Sequence, residues 1–213
     1  LSSGLDYQMI SVGKVIDSSE ALVTRNGSGI DKPADLKGKR IAVPIGSTAH
    51  FSLMGALKMY NLTEKDVTVV GMSPAEIAAA WAQNAIDAAF VWYPVQAKIR
   101  ENGKVMTTAG TIAKTGFPTF NGWVATNKFA AANRAGLVNF LKAMNEINGD
   151  YSKNKAAWTA DSPKVKAVAT NVGITPAAVV AALDGAIYPD GELNMSAAWM
   201  GGGAEPPRLS WRP

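Results

Sequence analysis

The segment Ile45–His50 (IGSTAH) gathers the groups in this sequence best suited to hold a small charged molecule. Gly46 lets a backbone approach closely, and Ser47 and Thr48 add hydroxyls to the free N–H groups of a helix start. Such a turn suits an anion: a sulfonate, phosphate, nitrate or carboxylate. The same residues also serve as a plain helix cap. Neither the Walker A spacing G-x-x-x-x-G-K-[ST] nor a G-x-G-x-x-G opening a helix occurs, so nucleotide binding is disfavoured.

His50 is the single histidine and lies one turn into that helix. A general base needs a partner and a substrate proton within reach. A Ser47–His50 dyad is conceivable, but the elbow G-x-S-x-G is missing, and a histidine hydrogen-bonded in a cleft wall is the simpler role. There is no cysteine, which removes disulfides, thiolate nucleophiles and cysteine metal sites together. With no H-x-x-x-H or H-x-H pair, no metal-ligand set stands out. The expectation is no catalytic residue, no metal and no cofactor. Trp92 and Trp123 follow apolar runs, where a large ring either faces a crevice or packs in the core. Asp87 reads as a turn residue opening a strand.

These residues need a scaffold, and the middle of the chain supplies one. Lys39–Pro44 (KRIAVP), Val67–Gly71 (VTVVG), Asp87–Trp92 (DAAFVW) and Lys104–Thr108 (KVMTT) read as strands. Between the first two, Ser47 or Thr48 caps a helix whose apolar stripe is Leu53, Leu57 and Tyr60, ending at Asn61. Ser73-Pro74 followed by Glu76 is a capping box opening the next helix, with Ile77 and Trp81 one turn apart. Pro94 opens a third helix that Gly103 can close. Alternating strands and helices predict right-handed βαβ units and a parallel sheet covered on both faces. The expected carboxyl edge of that sheet is where such folds bind ligands, and the Gly46 turn lies there.

From about Asn127 the pattern becomes helical, with no obvious strands. Leu137, Phe140, Leu141, Met144 and Ile147 mark a long amphipathic helix. Ser162-Pro163 and Thr175-Pro176 start two more, and Gly173 and Gly185 stop them. The GGGAEPPRLSWRP end has no periodic pattern and reads as an unstructured tail.

Composition narrows the class further. At 47% hydrophobic and 18% charged, the 213 residues are too apolar to be disordered, and their length suits one large domain or two small ones. No run approaches the roughly 20 consecutive apolar residues of a membrane-spanning helix. The net charge is +4, and the cations are scattered, among them Arg25, Lys37, Lys39, Arg40, Lys98, Arg100, Lys153 and Lys155. They do not form the one-sided stripe of a nucleic-acid binder. A cysteine-free chain fits an oxidising compartment without requiring one. The opening LSSGLDYQMI has neither the basic start nor the long apolar run of a signal peptide. The numbering is therefore expected to begin inside a larger gene product.

The segments SSEALVTRNGSGIDKPADLKGKRIAVP, IGSTAHFSLMGALKMY, IAAAWAQNAIDAAFVWYP and GFPTFNGWVATNKFA, in this order, resemble the taurine-binding subunits of bacterial ABC importers. These belong to the sulfonate, nitrate and taurine group of periplasmic binding proteins, and the resemblance runs over residues 4 to 204. It implies an α/β chain of the type II periplasmic-binding-protein fold, with two α/β lobes closing on the ligand about a two-strand hinge. The hinge strands would be Glu20–Thr24 and Val124–Thr126. Residues 1–25 would be part of an incomplete first lobe, 26–124 the second lobe, 125–204 a helical return to the first, and 205–213 a tail foreign to the family. The absent opening of the first lobe and the foreign end together imply a fragment.

The resemblance also implies site residues. Gly46, Ser47 and Thr48 match the family's anion-holding turn, with Ala49 where many members have threonine. His50 matches the family's histidine after that turn, and Trp92 its cleft tryptophan, which would lie against the ligand's carbon chain. Asn121 stands where taurine binders commonly carry the aspartate that pairs with the ligand's ammonium; Glu20, from the hinge strand, could reach that ammonium instead. The implied function is delivery of an alkanesulfonate, taurine or similar, to the permease subunits of an ABC importer in the inner membrane. The implied protein is periplasmic and monomeric, is not an enzyme and takes no nucleic acid. Another small anion, such as nitrate, bicarbonate or a sulfate ester, suits the same turn. Two rivals share the fold: a thiamin-pyrimidine synthase-like enzyme and the sensing domain of a transcriptional regulator.

Overall fold

The structure is a computed structural model and describes residues 6–196 and residue 200. The expected tail at 205–213 and the opening residues 1–5 lie outside the described residues. In chain order the first elements are β1 Tyr7–Ile16, β2 Glu20–Arg25, β3 Arg40–Val43, α1 Thr48–Met59, β4 Thr68–Gly71 and α2 Pro74–Ala82. Next come β5 Ala88–Trp92, α3 Val95–Ile99, β6 Gly103–Thr108, α4 Ala109–Ala113 and β7 Phe120–Thr126. The last are α5 Asn127–Ala132, α6 Arg134–Lys153, α7 Pro163–Val172, α8 Pro176–Asp184, β8 Ala186–Ile187 and α9 Gly191–Met195.

The chain divides into two compact units. Unit one takes the described parts of Leu1–Val15, Phe120–Thr159 and Ile187–Pro213; unit two takes Ile16–Thr119 and Ala160–Ala186.

Unit two is built on a five-stranded sheet in the order β4-β3-β5-β2-β6. Strands β3, β4 and β5 are parallel, as the βαβ pattern predicts. Strand β2 departs from the all-parallel expectation: it runs antiparallel between β5 and β6. It arrives from outside the βαβ series, so no crossover helix fixes its direction. Alternate residues of each strand feed two cores. Leu22, Ile41, Val43 and Phe90 join Leu53 and Leu57 of α1 and Ile112 of α4 on one face. Ala21, Val23, Ala42 and Val91 join Ile77 and Trp81 of α2 and Ile99 of α3 on the other. Each large side chain so buried stabilises by roughly 1.5–3 kcal/mol relative to exposure.

The expected helix starts are found in place. Ser73 accepts from the Glu76 N–H while the Glu76 carboxylate accepts from the Ser73 N–H at 2.7 Å, a closed capping box with Pro74 at the first position. Ser162 and Thr175 cap α7 and α8 ahead of their prolines, and Gly173 ends α7 in the left-handed region.

Unit one rests on a three-stranded sheet ordered β7-β1-β8. Strand β1 pairs antiparallel with β7, from Tyr7 opposite Thr126 to Val15 opposite Phe120, with two register shifts. The two-residue strand β8 corrects the expectation that the last third holds no strand. The expected long amphipathic helix is α6, and Tyr151 near its end meets both Trp158 and Tyr188 edge-on. Trp123 of β7 meets Phe140 of α6 edge-on, and together with Phe129 and Leu137 they line an open apolar groove of about 670 Å³. No single helix among the described residues is long and apolar enough to cross a membrane.

Candidate functional site

Strand β3 ends at Val43, and the chain turns through Pro44–Ser47 into α1 at the carboxyl edge of the unit-two sheet. Gly46 makes that turn possible with φ of +78°, a conformation costly for residues with a Cβ. A Cβ built on Gly46 would meet no atom within 4 Å, so the space above the turn is open.

Ser47 is the N-cap of α1. Its Oγ accepts from the His50 N–H at 3.3 Å and its hydroxyl donates to the Pro44 carbonyl at 2.6 Å. The Thr48 hydroxyl donates to Glu20 Oε1 at 2.7 Å. Both hydroxyl hydrogens of the turn are therefore committed within the protein. What the turn presents to a ligand is backbone: the first N–H groups of a twelve-residue helix with its partial positive end.

His50 adds a side-chain donor. Its Nδ1 accepts from the Gly46 N–H at 3.3 Å. In the neutral ring that bond leaves the proton on Nε2. Nε2 is buried and has no hydrogen-bond partner in the protein. An unmet buried donor costs about 1–3 kcal/mol.

Glu20 opens β2 and is only 5% exposed. Its register partner on β5 is Trp92, the last residue of that strand. The Trp92 ring is half-buried and packs against the core cluster that includes Phe90 and Leu53, its edge of the sheet being the one that carries the Gly46 turn. Unit two thus brings Gly46, Ser47, Thr48, His50, Glu20 and Trp92 to one edge. A carboxylate stands one hydrogen bond away from a helix start that favours anions. Such a pair of opposite demands suits a ligand with a negative and a positive end.

Asn121 belongs to unit one. It is exposed on β7, opposite Lys14 of β1. Trp123, two residues on, packs against Phe140 rather than standing alone.

Asp87 does open its strand, at the end of β5 away from Trp92. Burial pushes its carboxyl up, but the side-chain and backbone hydrogen bonds from Arg40 and that residue's charge outweigh it and hold the group below the usual range. Arg25 lies 3.8 Å from the same carboxylate. The cluster anchors the strand and takes no part in the edge described above. Among the described residues no group of three or more His, Cys, Asp or Glu is placed to hold a metal.

Sequence reasoning missed two features of the site. The Thr48–Glu20 bond joins residues 28 apart, which no local pattern reports. Gln96, in the short helix VQAKI, looks like a surface residue but is 1% exposed and donates to the Ser18 carbonyl two residues before Glu20.

A family model described as NMT1/THI5 like matches residues 2–148. The taurine-binding periplasmic protein of Escherichia coli strain K12 is 32% identical over 187 residues, covering 88% of this chain and 58% of its own length. The periplasmic aliphatic sulphonate binding protein SsuA from Escherichia coli superposes with a TM-score of 0.71 at 23% identity, over 88% of this chain and 61% of that one. The alkanesulfonate-binding protein SsuA from Xanthomonas axonopodis pv. citri, solved bound to MOPS, superposes with a TM-score of 0.68 at 26% identity, over 88% and 63%. The chain therefore spans about three fifths of the length of each of these three relatives.

Proposed function

The chain belongs to the NMT1/THI5-like family and has the type II periplasmic-binding fold, and from that premise we propose that it binds a small alkanesulfonate, taurine or a close analogue. The bound solute is handed to the permease of an ABC importer, and no bond is made or broken. The protein acts in the periplasm as a monomer. The lobe that carries the anion end of the site is the span 26–124 expected as the second lobe, most of which lies in unit two.

The observation that carries the proposal is the buried, unpartnered Nε2 of His50 beside the start of α1. Sulfonate oxygens would accept from Nε2–H and from the backbone N–H groups at Thr48 and Ala49, with Gly46 leaving room for their approach. Ser47 shapes the turn. Thr48 aims Glu20, whose carboxylate takes the ligand's ammonium. Trp92 lies against the carbon chain. The names of the relatives, taurine-binding and alkanesulfonate-binding, point to the same ligand class.

Isothermal titration of the full-length protein against taurine, isethionate and nitrate tests the proposal. Saturable binding of taurine and isethionate, one per protein, is expected. Failure of both sulfonates to bind overturns it. Nitrate binding alone would select the reading in which a small inorganic anion uses the helix start and Glu20 stands idle.

A further inference from the structure

The three residues before Glu20 are held by an unusual set of partners. The carbonyls of Asp17, Ser18 and Ser19 accept in turn from the Gly110 N–H, the Gln96 side chain and the Tyr93 N–H. The Asp17 and Ser19 N–H groups both donate to the Gly185 carbonyl. Two glycines make the fit possible. A Cβ on Gly185 would stand 2.5 Å from the Ser19 nitrogen, and one on Gly110 would run into Asp17. The segment is thus clamped from several sides, and every carbonyl donor except Gln96 is backbone.

Gln96 is an expensive way to fill that place. It sits on a five-residue helix and is 1% exposed. Its Nε2 reaches the Ser18 carbonyl at 3.0 Å, yet its Oε1 is buried with no hydrogen-bond partner. The Ser19 hydroxyl is likewise buried and unpartnered. A methionine would fill the same volume without the unmet acceptor. The bond to Ser18 is what the amide adds, and Ser18 is two residues from the carboxylate at the ligand edge.

We propose that Gln96 is a positioning residue that, by holding the Ser18 carbonyl, sets the place of the Glu20 carboxylate and with it the preference for an ammonium-bearing sulfonate. This rests on the proposed sulfonate-binding function. Thr48 holds the head of Glu20, and Gln96 is the one side chain among the groups that hold the backbone carbonyls before it. Loosening the backbone moves the carboxylate relative to the helix start. That affects a ligand's positive end and leaves its sulfonate contacts in place.

The test is the ratio of taurine to isethionate affinity, by isothermal titration of the full-length protein and its Gln96→Met variant. The two ligands differ in carrying an ammonium or a hydroxyl. The expected result is a loss of at least tenfold for taurine and less than threefold for isethionate. Equal losses for both ligands, or none, overturn the inference. Gly185→Ala presses on Ser19 from the opposite side and should shift the ratio the same way; a folded Gly185→Ala protein with an unchanged ratio overturns it too. If the unaltered protein binds neither ligand, the proposed function falls and takes this inference with it. If it prefers taurine and the variants keep that preference, only the inference falls.

Discussion

The Thr48 hydroxyl donates to Glu20 Oε1 across 2.7 Å, tying the first residue of α1 to the first residue of β2. One side of that bond is a helix start, which attracts negative charge; the other is a buried carboxylate, which repels it. A simple anion satisfies half of this edge and is opposed by the rest. A ligand with both a negative and a positive end answers both demands.

Thr48→Val removes the donor and keeps the shape. A hydrogen bond to a charged group is worth about 1.5–3 kcal/mol, so a carboxylate without it should be held less firmly in place. Taurine affinity is expected to fall about tenfold or more, with isethionate less affected and Thr48→Ser near the starting value. Titration calorimetry on the three proteins checks this; an unaltered taurine affinity in Thr48→Val would separate Glu20 from the ligand.

His50→Phe replaces the buried Nε2 donor with carbon. Because this donor is assigned to the sulfonate end, taurine and isethionate should weaken together, each by tenfold or more. The contrast with Thr48→Val is the informative part. A loss confined to taurine would move His50 to the other end of the ligand.

Asn121→Asp places a charge where the protein has a neutral amide. A charge-assisted hydrogen bond is about twice as strong as a neutral one, so the variant should gain roughly tenfold in taurine over isethionate preference. Competition of the two ligands on one protein sample measures it directly, and no gain would leave Asn121 without a part in binding.

Asp87 should set part of the acid limit of stability. Its folded carboxyl lies below the usual range, so its contribution is complete above pH 4 or so and is lost as pH falls through the lowered value. Asp87→Asn breaks the Arg40 and Arg25 contacts. At pH 7 the variant should melt lower by roughly 3–10 °C, for a cost of about 1–3 kcal/mol. The gap should narrow as pH falls through that lowered value, where the unaltered protein protonates Asp87 too. Thermal melts of both proteins from pH 2 to 8 would show it.

The parts of this molecule legible in its sequence are those with local causes. The Ser73–Glu76 box, the Ser162 and Thr175 caps and the Gly173 stop each depend on residues within a single turn of helix. Strands β3, β4 and β5 are short apolar runs between such helices, and they too were readable. Strand β1 was not, because two register shifts break the alternation that would announce it. The direction of β2 depends on partners more than sixty residues away, and its apolar run carries no sign of it. At the site, the Gly46 turn was visible from its composition. The orphaned Nε2 of His50 was not, since it follows from a backbone N–H turning back onto Nδ1.

The interleaving of the two units imposes an order in time. All five strands of the larger sheet lie within Glu20–Thr108, so a nascent chain can complete that sheet from one continuous stretch. Strand β1 leaves the ribosome before that sheet yet has to wait for β7, and Asn127 bonds back to Asp6, 121 positions earlier in the chain. Closing so long a loop is entropically costly for an unfolded chain. Once the sheet between them has folded, the two ends are brought near one another and the closure is shortened. Synthesis therefore favours the larger sheet forming first, with β1 and β7 pairing after it.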